Sequence, residues 1–208
     1  MMRIDSIASR PDRVGKYKVL FSDGFSMPLY RQTIEDFGLY NGMEINQELL
    51  QKIKVAAGKM SAKMRAVRIV SATNVSKGDL ERRLVQKGES AEDAQMAVAW
   101  MAELDLLDDR KTAEQIVNRC ISKGYGIHRA RQALYEKRIP KQYWQDALVN
   151  YPDQSDAIGS YLRTHLDENS DTKQVRRVID SLIRKGHNYS EIRHQLQNMS
   201  LSGDFPEE

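Results

Sequence analysis

The chain has 208 residues, of which 40% are hydrophobic, 7% aromatic and 29% charged, and its formal net charge is +3. This length allows one or two domains, and the composition favours a helical protein with much exposed surface. One cysteine excludes an internal disulfide, and no apolar run of about 18 residues would span a membrane. Because the first residues lack the apolar segment of a signal peptide, we expect the protein in the cytoplasm.

The first 55 residues are predicted to form a small β-hairpin module with a helix. A period-two alternation runs through 16–21, and Asp23-Gly24 is a strong signal for a hairpin turn. The alternation resumes through 25–29. The sequence therefore predicts two antiparallel strands joined at Asp23-Gly24.

Smaller features complete this module. We expect an edge strand around Ile4 and Ile7 and a short helix at 32–37. A module of this size buries little core alone. It is therefore expected to pack on the helical part of the chain through one or more of three apolar residues: Leu39, Ile45 and Leu49.

An internal repeat organises the rest of the chain. A leucine recurs at intervals of 50 and 48 residues: Leu84, Leu134 and Leu182. Four positions after each leucine stands a residue that would end a helix: Gly88, Arg138 and Gly186. Because glycine takes the left-handed conformation at little cost, Arg138 predicts a different turn or some strain in the second unit.

The repeat predicts a mainly α-helical protein with three tandem three-helix units. Nine helices are expected: 59–72, 76–87 and 90–105; 109–122, 126–137 and 140–150; 154–167, 172–185 and 188–199. The first is expected to continue back to about residue 47, with a break near Gly58. Because a single unit buries its apolar stripes poorly, the units are expected to stack into an elongated, curved array.

The same pattern predicts domain limits, helix starts and core residues. The expected domains are the module at 1–55, the repeats at 56–107, 108–151 and 152–200, and a flexible tail at 201–208. Helix N-caps are expected at Ser76, Ser90 and Asp108 or Asp109, with Pro140 in the first turn of its helix. Eight residues are expected to be buried: Leu84, Val98, Ile116, Leu134, Leu148, Leu182, Ile192 and Leu196.

Blocks of opposite charge alternate along the repeats. The basic blocks are 59–87, 110–141 and 173–194, and the acidic blocks are 88–109 and 143–171. If the units stack in register, the basic helices would line up in one positive stripe. Two alternatives are that these faces are simply solvated, or that opposite blocks pair between neighbouring units.

The sequence contains no recognisable catalytic, cofactor or metal site. Gly124-Tyr125-Gly126 lacks the third glycine and the preceding strand of a nucleotide-binding loop. Cys120 lies on an apolar stripe and is expected to be a small buried hydrophobe. The histidines are scattered, and His187 and His194 are assigned a surface or capping role. We therefore expect neither an enzyme nor a bound cofactor or metal.

Three segments carry a resemblance to a known family. LLDDRKTAEQIVNR followed by KGYGIHRARQALYEKRIP resembles the central repeat of the RecX family, regulators of the RecA recombinase. AVRIVSATNVSKGDLERRLVQKG and VRRVIDSLIRKGHNYSEIRHQL resemble its first and last repeats, so about residues 60–198 are covered. The N-terminal module resembles an extension found in some members. Two residues depart from the family pattern, Arg138 in place of a glycine and Glu89 in place of an apolar or aromatic residue.

The resemblance implies a non-enzymatic regulator of DNA repair and the SOS response. It implies binding to RecA–DNA filaments, inhibition of recombinase and coprotease activity, and action as a monomer along the filament groove. Two alternatives remain open. The repeats resemble helix-turn-helix pairs and would allow direct binding to single- or double-stranded DNA, or the chain is a helical scaffold for acidic protein partners.

The contact surface for the filament is predicted on basic helices. On a helix of 3.6 residues per turn, Ile127, Ala130 and Leu134 take the buried face. Arg131 and Arg138 are then expected to share an outward face. Ten residues are hypothesised to contact the filament: Lys123, Tyr125, Arg129, Arg131, Lys137, Arg138, Lys141, Arg82, Arg83 and Lys87.

Overall fold

The computed structural model describes residues 2–167 and 169–199 and is 61% helical. The described residues form ten α-helices and a small antiparallel sheet near the N-terminus. The prediction of a mainly helical protein that begins with a small strand module is therefore confirmed. The flexible tail predicted at 201–208 lies outside the described residues.

The sheet has four strands in the order β3-β2-β1-β4. Their bounds are β1 Met2–Ile7, β2 Lys16–Phe21, β3 Ser26–Tyr30 and β4 Glu44–Ile45. The strand that contains Ile4 was predicted at an edge, and this prediction is wrong. It lies inside the sheet because β4 pairs with it, with Met2 opposite Ile45. Two residues are too few for β4 to show an alternating pattern in the sequence.

The predicted hairpin between β2 and β3 is confirmed. Tyr17 stands opposite Leu29, and the carboxylate of Asp23 accepts the N–H of Phe25 at 3.0 Å. Gly24 has a φ of +85°, a left-handed conformation that the turn requires and glycine adopts at little cost. The Asp-Gly pair therefore sets the register of the two strands.

A short helix, α1 (Arg31–Asp36), follows the hairpin, and the long helix α2 (Gln47–Ala72) begins soon after. Asn46 caps α2 by accepting the N–H of Leu49 at 2.7 Å. The break expected near Gly58 is absent, since α2 runs unbroken for 26 residues. Gly58 instead allows a close approach, because a Cβ there would lie 2.7 Å from the Asp93 carboxylate.

The core of the N-terminal module joins the sheet to α2. Leu39, Ile45 and Leu49 were expected to make this contact, and they share one apolar cluster with Ile53 of α2. Ile4, Val19 and Phe21 come from the inward face of the sheet and lie in the same cluster. The module therefore gains its core from the first helix of the helical part, as expected for a sheet of this size.

The remaining helices lie within a few residues of the predicted spans, apart from one. They are α3 (Lys77–Gln86), α4 (Ala91–Glu103), α5 (Asp109–Ser122), α6 (Ile127–Glu136), α7 (Trp144–Leu148), α8 (Ser155–His165), α9 (Thr172–Arg184) and α10 (Tyr189–Asn198). The exception is the single helix expected at 140–150, which is a 3-10 turn (Lys141–Tyr143) followed by the five-residue α7. Pro140 caps that turn with an extended ψ of 135° and so precedes its first helical residue.

The predicted N-caps are present where the structure describes them. Ser90 accepts the N–H of Asp93 at 3.0 Å, and Asp108 accepts the N–H of Lys111 at 2.9 Å. Ser76 accepts the N–H of Asp79, three residues later in the chain, at 3.0 Å. These side chains satisfy backbone donors that a helix start leaves without a partner.

Two compact units divide the chain. The first contains the described residues up to Asn74 and Leu80–Leu107, and the second contains Val75–Asp79 and the described residues from Asp108 onward. In the second unit, α5, α6 and α7 enclose a cluster around Leu134, while α8, α9 and α10 enclose another around Leu182. Six of the eight predicted core residues are buried: Leu84, Val98, Leu134, Leu182, Ile192 and Leu196.

The other two predicted core residues, Ile116 and Leu148, are only half-buried. The centre of the α5 stripe falls on Ala113 and Val117, so Ile116 lies about 100° round the helix from Val117 and reaches only the rim of the core. Leu148 ends the short helix α7, where no further turn covers it.

The turns after α3, α6 and α9 share one backbone conformation. Gly88 and Gly186 have φ values of +90° and +87°, and Arg138 has a φ of +52° at the aligned position. Of the two outcomes expected for Arg138, the structure therefore shows strain. A side chain with a left-handed backbone costs about 1–2 kcal/mol relative to the right-handed conformation.

Candidate functional site

Seven of the predicted contact residues lie around α6, and we call them the central basic surface: Lys123, Tyr125, Arg129, Arg131, Lys137, Arg138 and Lys141. Lys123 caps α5, and its Nζ lies 5.9 Å from the centre of the Tyr125 ring. Arg129 and Arg131 lie on α6, Lys137 caps it, and Lys141 begins the 3-10 turn.

Two cations of this surface are held by carboxylates. Arg129 Nη1 lies 3.3 Å from Glu136 Oε1, and Lys137 Nζ lies 3.8 Å from Asp79 Oδ2. Asp79 is fully buried, and Ser76 beside it donates to the carbonyl oxygen of Lys137 at 2.5 Å. Arg129 and Lys137 therefore contribute less outward charge than the sequence suggests.

Four cations of the surface keep their charge uncompensated. Lys123, Arg131, Arg138 and Lys141 are exposed, and none has an ion-pair partner among the described residues. The helical face expected for Arg131 and Arg138 is wrong, because α6 ends at Glu136 and Arg138 lies in the left-handed turn.

The expected buried face of α6 also needs correction. Ala130 and Leu134 are buried, but Ile127, at the start of the helix, is only half-buried. The first residue of a helix has no preceding turn to cover it, so its side chain lies at the rim of the core.

The structure adds an aromatic residue that sequence reasoning missed. Tyr135 is 72% exposed and stands four residues after Arg131, on the same outward side of α6. The spacing from the buried Leu134 and Ala130 was a signal that could have found it. An exposed tyrosine ring beside a guanidinium group is suited to stacking on a base or on another side chain.

A second basic site lies in the first unit, and we call it the α2–α3 cleft. Its volume is about 260 Å³, and its lining residues are Arg65, Arg68, Ile69, Ala72, Thr73, Arg83 and Lys87. Arg83 and Lys87 were predicted contact residues, whereas Arg65 and Arg68 were not. The predicted contact residue Arg82 is half-buried and does not line the cleft.

Three of the four cleft cations have described side-chain partners. Arg65 Nε lies 2.6 Å from Glu89 Oε1. Arg68 donates to the hydroxyl of Tyr30 at 3.2 Å, and Arg83 donates to the hydroxyl of Thr73 at 3.4 Å. Within the described residues, Lys87 has neither a carboxylate nor another side-chain partner. The cleft is therefore lined by cations, and Glu89 compensates one of them, Arg65.

Beneath the central basic surface, the turn Gly124-Tyr125-Gly126 contacts two polar side chains, the half-buried Tyr151 and the buried His187. Tyr151 donates its hydroxyl to the carbonyl oxygen of Tyr125 at 2.7 Å, and burial raises the pKa of Tyr151 to about 12. His187 is 5% exposed, and its Nε2 lies 3.1 Å from the carbonyl oxygen of Gly124. Because a carbonyl only accepts, Nε2 carries the proton.

Burial shifts the pKa values of the groups in this region. Burial lowers the pKa of His187, and the hydrogen bond to the Gly124 carbonyl acts in the opposite direction but is the smaller effect. The folded protein therefore favours the neutral imidazole. His187 is therefore not a surface residue, but its contact with the carbonyl oxygen of Gly124, directly after the C-cap of α5, agrees with the capping role. Cys120 is buried as expected, and burial raises the pKa of its thiol, which makes the reactive thiolate unfavourable.

The described parts of the chain hold no group of three or more His, Cys, Asp or Glu side chains placed to bind a metal ion. None of the helices in those parts is both long and apolar enough to cross a membrane.

Comparison with known proteins shows which proteins this chain resembles. It matches no family model. It is 29% identical over 99 residues to regulatory protein RecX of Vibrio parahaemolyticus serotype O3:K6, a match that covers 48% of this chain and 64% of that protein. It is 25% identical over 206 residues to regulatory protein RecX of Clostridioides difficile strain 630, a match that covers 95% of this chain and 94% of that protein. The chain is therefore similar to regulatory protein RecX along nearly its whole length.

The RecX fold is also shared. A crystal structure of regulatory protein RecX aligns with a TM-score of 0.61 at 20% sequence identity and covers 93% of this chain and 100% of that chain. The mainly helical architecture with a small strand module is therefore a RecX architecture.

The two departures from the RecX pattern both have a structural account. The side chain of Glu89 is 7% exposed, where it accepts from Arg65 at 2.6 Å and from Ser61 at 3.0 Å. An acid is tolerated there because both donors compensate its burial. Arg138 makes the turn that a RecX glycine would make, with the left-handed backbone described above.

Proposed function

We propose that this chain regulates RecA by binding RecA–DNA filaments, and that binding inhibits recombination and coprotease activity. The observation that carries the proposal is the match to regulatory protein RecX over 95% of the chain. In this proposal the chain catalyses no reaction and acts as a monomer.

The central basic surface supports this proposal physically. Four of its cations have no described ion-pair partner, and Tyr135 adds an exposed ring beside them. The DNA in a RecA–DNA filament carries a phosphate at each nucleotide. Positive side chains on an outward surface attract these phosphates, and the attraction weakens as salt screens it.

The test is a titration of the purified chain into RecA on single-stranded DNA with ATP. We expect the DNA-dependent ATPase and strand-exchange rates to fall when the chain is well below the RecA concentration, because one bound copy that interrupts a filament affects many subunits. Undiminished rates at equimolar chain, in low salt and with RecA from the same organism, would contradict the proposal.

A binding experiment separates this function from the two alternatives. The chain is titrated against RecA–DNA filaments, DNA alone and RecA alone under one salt condition. Tightest binding to filaments supports filament regulation. Equal binding to DNA with and without RecA favours a direct DNA-binding protein, and binding to RecA alone favours a protein scaffold.

A further inference from the structure

The α2–α3 cleft combines two helix faces that the sequence separates by about a dozen residues. Arg65, Arg68 and Ala72 lie at helical spacing on one side of α2. Arg83 and Lys87 are four apart at the end of α3, and the N–H of Lys87 donates to the carbonyl oxygen of Arg83 at 3.0 Å. The two helices therefore direct cations into one concavity from opposite sides.

Two of these cations are available to a ligand. Lys87 has no side-chain partner among the described residues, and Arg68 has one neutral partner, the Tyr30 hydroxyl. Both residues are exposed. Glu89 compensates Arg65 from outside the cleft, and the residues that line the cleft include no acidic side chain. An anion that enters therefore meets positive charge without displacing an existing ion pair at Arg68 or Lys87.

The shape of the site selects among anions. Guanidinium and ammonium donors on both walls suit an anion with several acceptor oxygens, and a phosphate offers more acceptors in more directions than a carboxylate. Thr73 adds a hydroxyl at the rim, and Ile69 and Ala72 supply an apolar wall of the kind that covers a sugar. The cleft of about 260 Å³ admits a phosphate with part of its sugar but not a folded peptide segment.

We propose that the α2–α3 cleft binds a backbone phosphate of a DNA strand, with Arg68 and Lys87 as its principal cations. The proposal depends on the proposed function only in taking DNA as the polyanion that the protein meets. It places a direct DNA contact in the first unit, separate from the central basic surface.

The test measures binding of the full-length chain to a dye-labelled single-stranded oligonucleotide without RecA, by fluorescence anisotropy over a range of salt concentrations. The variant is Arg68→Glu with Lys87→Glu. Each phosphate contact to a single strand changes the logarithm of affinity by about 0.7 per tenfold change in salt. Loss of this one phosphate contact should therefore weaken binding about 5-fold at about 0.1 M salt and flatten the salt slope by about 0.7.

A matched control separates the cleft from the general charge of the protein. Lys59 is exposed on α2, about 130° round the helix from the centre of the cleft-facing side, and no described side chain pairs with it. Lys59→Glu should shift affinity only by the small effect of net charge. The neutral variant Arg68→Gln with Lys87→Gln should weaken binding less than the glutamate variant, with an unchanged circular dichroism spectrum.

Three results would overturn the proposal. The first is wild-type affinity in the glutamate variant, and the second is an equal loss in Lys59→Glu. The third is a wild-type chain that does not bind DNA without RecA, which would leave filament regulation untouched. Competition by inorganic phosphate at constant ionic strength identifies the anion that the cleft binds. DNA that stays bound at about ten times its own phosphate concentration supports binding of a strand. DNA that is fully displaced at that concentration indicates a small-anion site and also overturns the proposal.

Discussion

The backbone N–H of Gly126 donates to the carbonyl oxygen of Lys185 at 2.9 Å, which places the turn before α6 directly against the turn before α10. The N–H of His128 donates to the carbonyl oxygen of Gly186 at 3.2 Å in the same contact. A Cβ added to Gly126 would collide with the Gly186 backbone. The contact between these two turns therefore depends on the absence of a side chain at Gly126.

We predict that Gly126→Ala destabilises the protein by about 1–3 kcal/mol, the usual cost of overpacking. The φ of Gly126 is −76°, so alanine adopts the backbone without strain and the clash alone causes the loss. Urea denaturation measures it. Gly159→Ala is the control, because Gly159 lies inside α8 with only flexible side-chain ends nearby, and alanine there should be neutral or stabilising. Equal effects of the two changes would contradict the contact.

His187 predicts a pH dependence of stability. Its folded pKa lies below the ordinary value of 6.5, so the unfolded chain binds a proton first as the pH falls. The contribution of the neutral side chain is complete above about pH 6.5 and is lost progressively below it. Thermal unfolding between pH 8 and pH 5 should therefore show a loss for the wild type that is smaller in His187→Gln, which cannot titrate. Parallel curves for the two proteins would exclude His187 as the cause.

Among the core residues that α5, α6 and α7 enclose, Leu134 should be the most sensitive to truncation. It is fully buried beside Ala113, Val117 and Ile139, and Leu134→Ala should cost about 2–5 kcal/mol through lost contacts and a cavity. Leu148→Ala removes the same atoms from a half-buried site and should cost less. Chemical denaturation of the two variants compares them directly. A Leu148 variant that is the less stable of the two would show that the core is centred elsewhere.

Arg138→Gly should stabilise the protein by about 1 kcal/mol, because glycine adopts the φ of +52° without the cost that a side chain has there. Arg138→Ala removes the same side chain but keeps the unfavourable backbone. A denaturation midpoint that rises for glycine and not for alanine identifies the backbone as the cause. If both variants shift alike, the effect belongs to the arginine side chain, which lies against Gly78.

The central basic surface gives a prediction for filament binding. Arg131→Glu with Lys141→Glu reverses two exposed cations without a described ion-pair partner and should weaken binding to RecA–DNA filaments in low salt. The difference from the wild type should shrink as salt rises, since screening weakens the wild-type attraction too. Lys18→Glu, an exposed change in the strand module, is the control. Wild-type filament affinity in the double variant would place the contact on another surface.

Local patterns in the sequence determined most of the helices of this protein. The N-caps at Ser90 and Asp108 and the turn at Asp23-Gly24 depend on contacts between residues at most three apart, so short-range chemistry was sufficient. The buried leucines follow from helical periodicity for the same reason. Periodicity could not separate a core position from a rim position such as Ile116, because that difference depends on neighbouring helices.

Only the tertiary structure decided which charges remain available. The sequence places Lys137 and Arg138 side by side as equal cations, but Lys137 lies beside Asp79, 58 residues away along the chain, while Arg138 has no described carboxylate partner. The α2–α3 cleft arises in the same way, since Arg68 and Lys87 share a site only because the fold brings α2 close to the end of α3. Ion pairs and clefts depend on distances in space, and charge counts along a chain do not contain those distances.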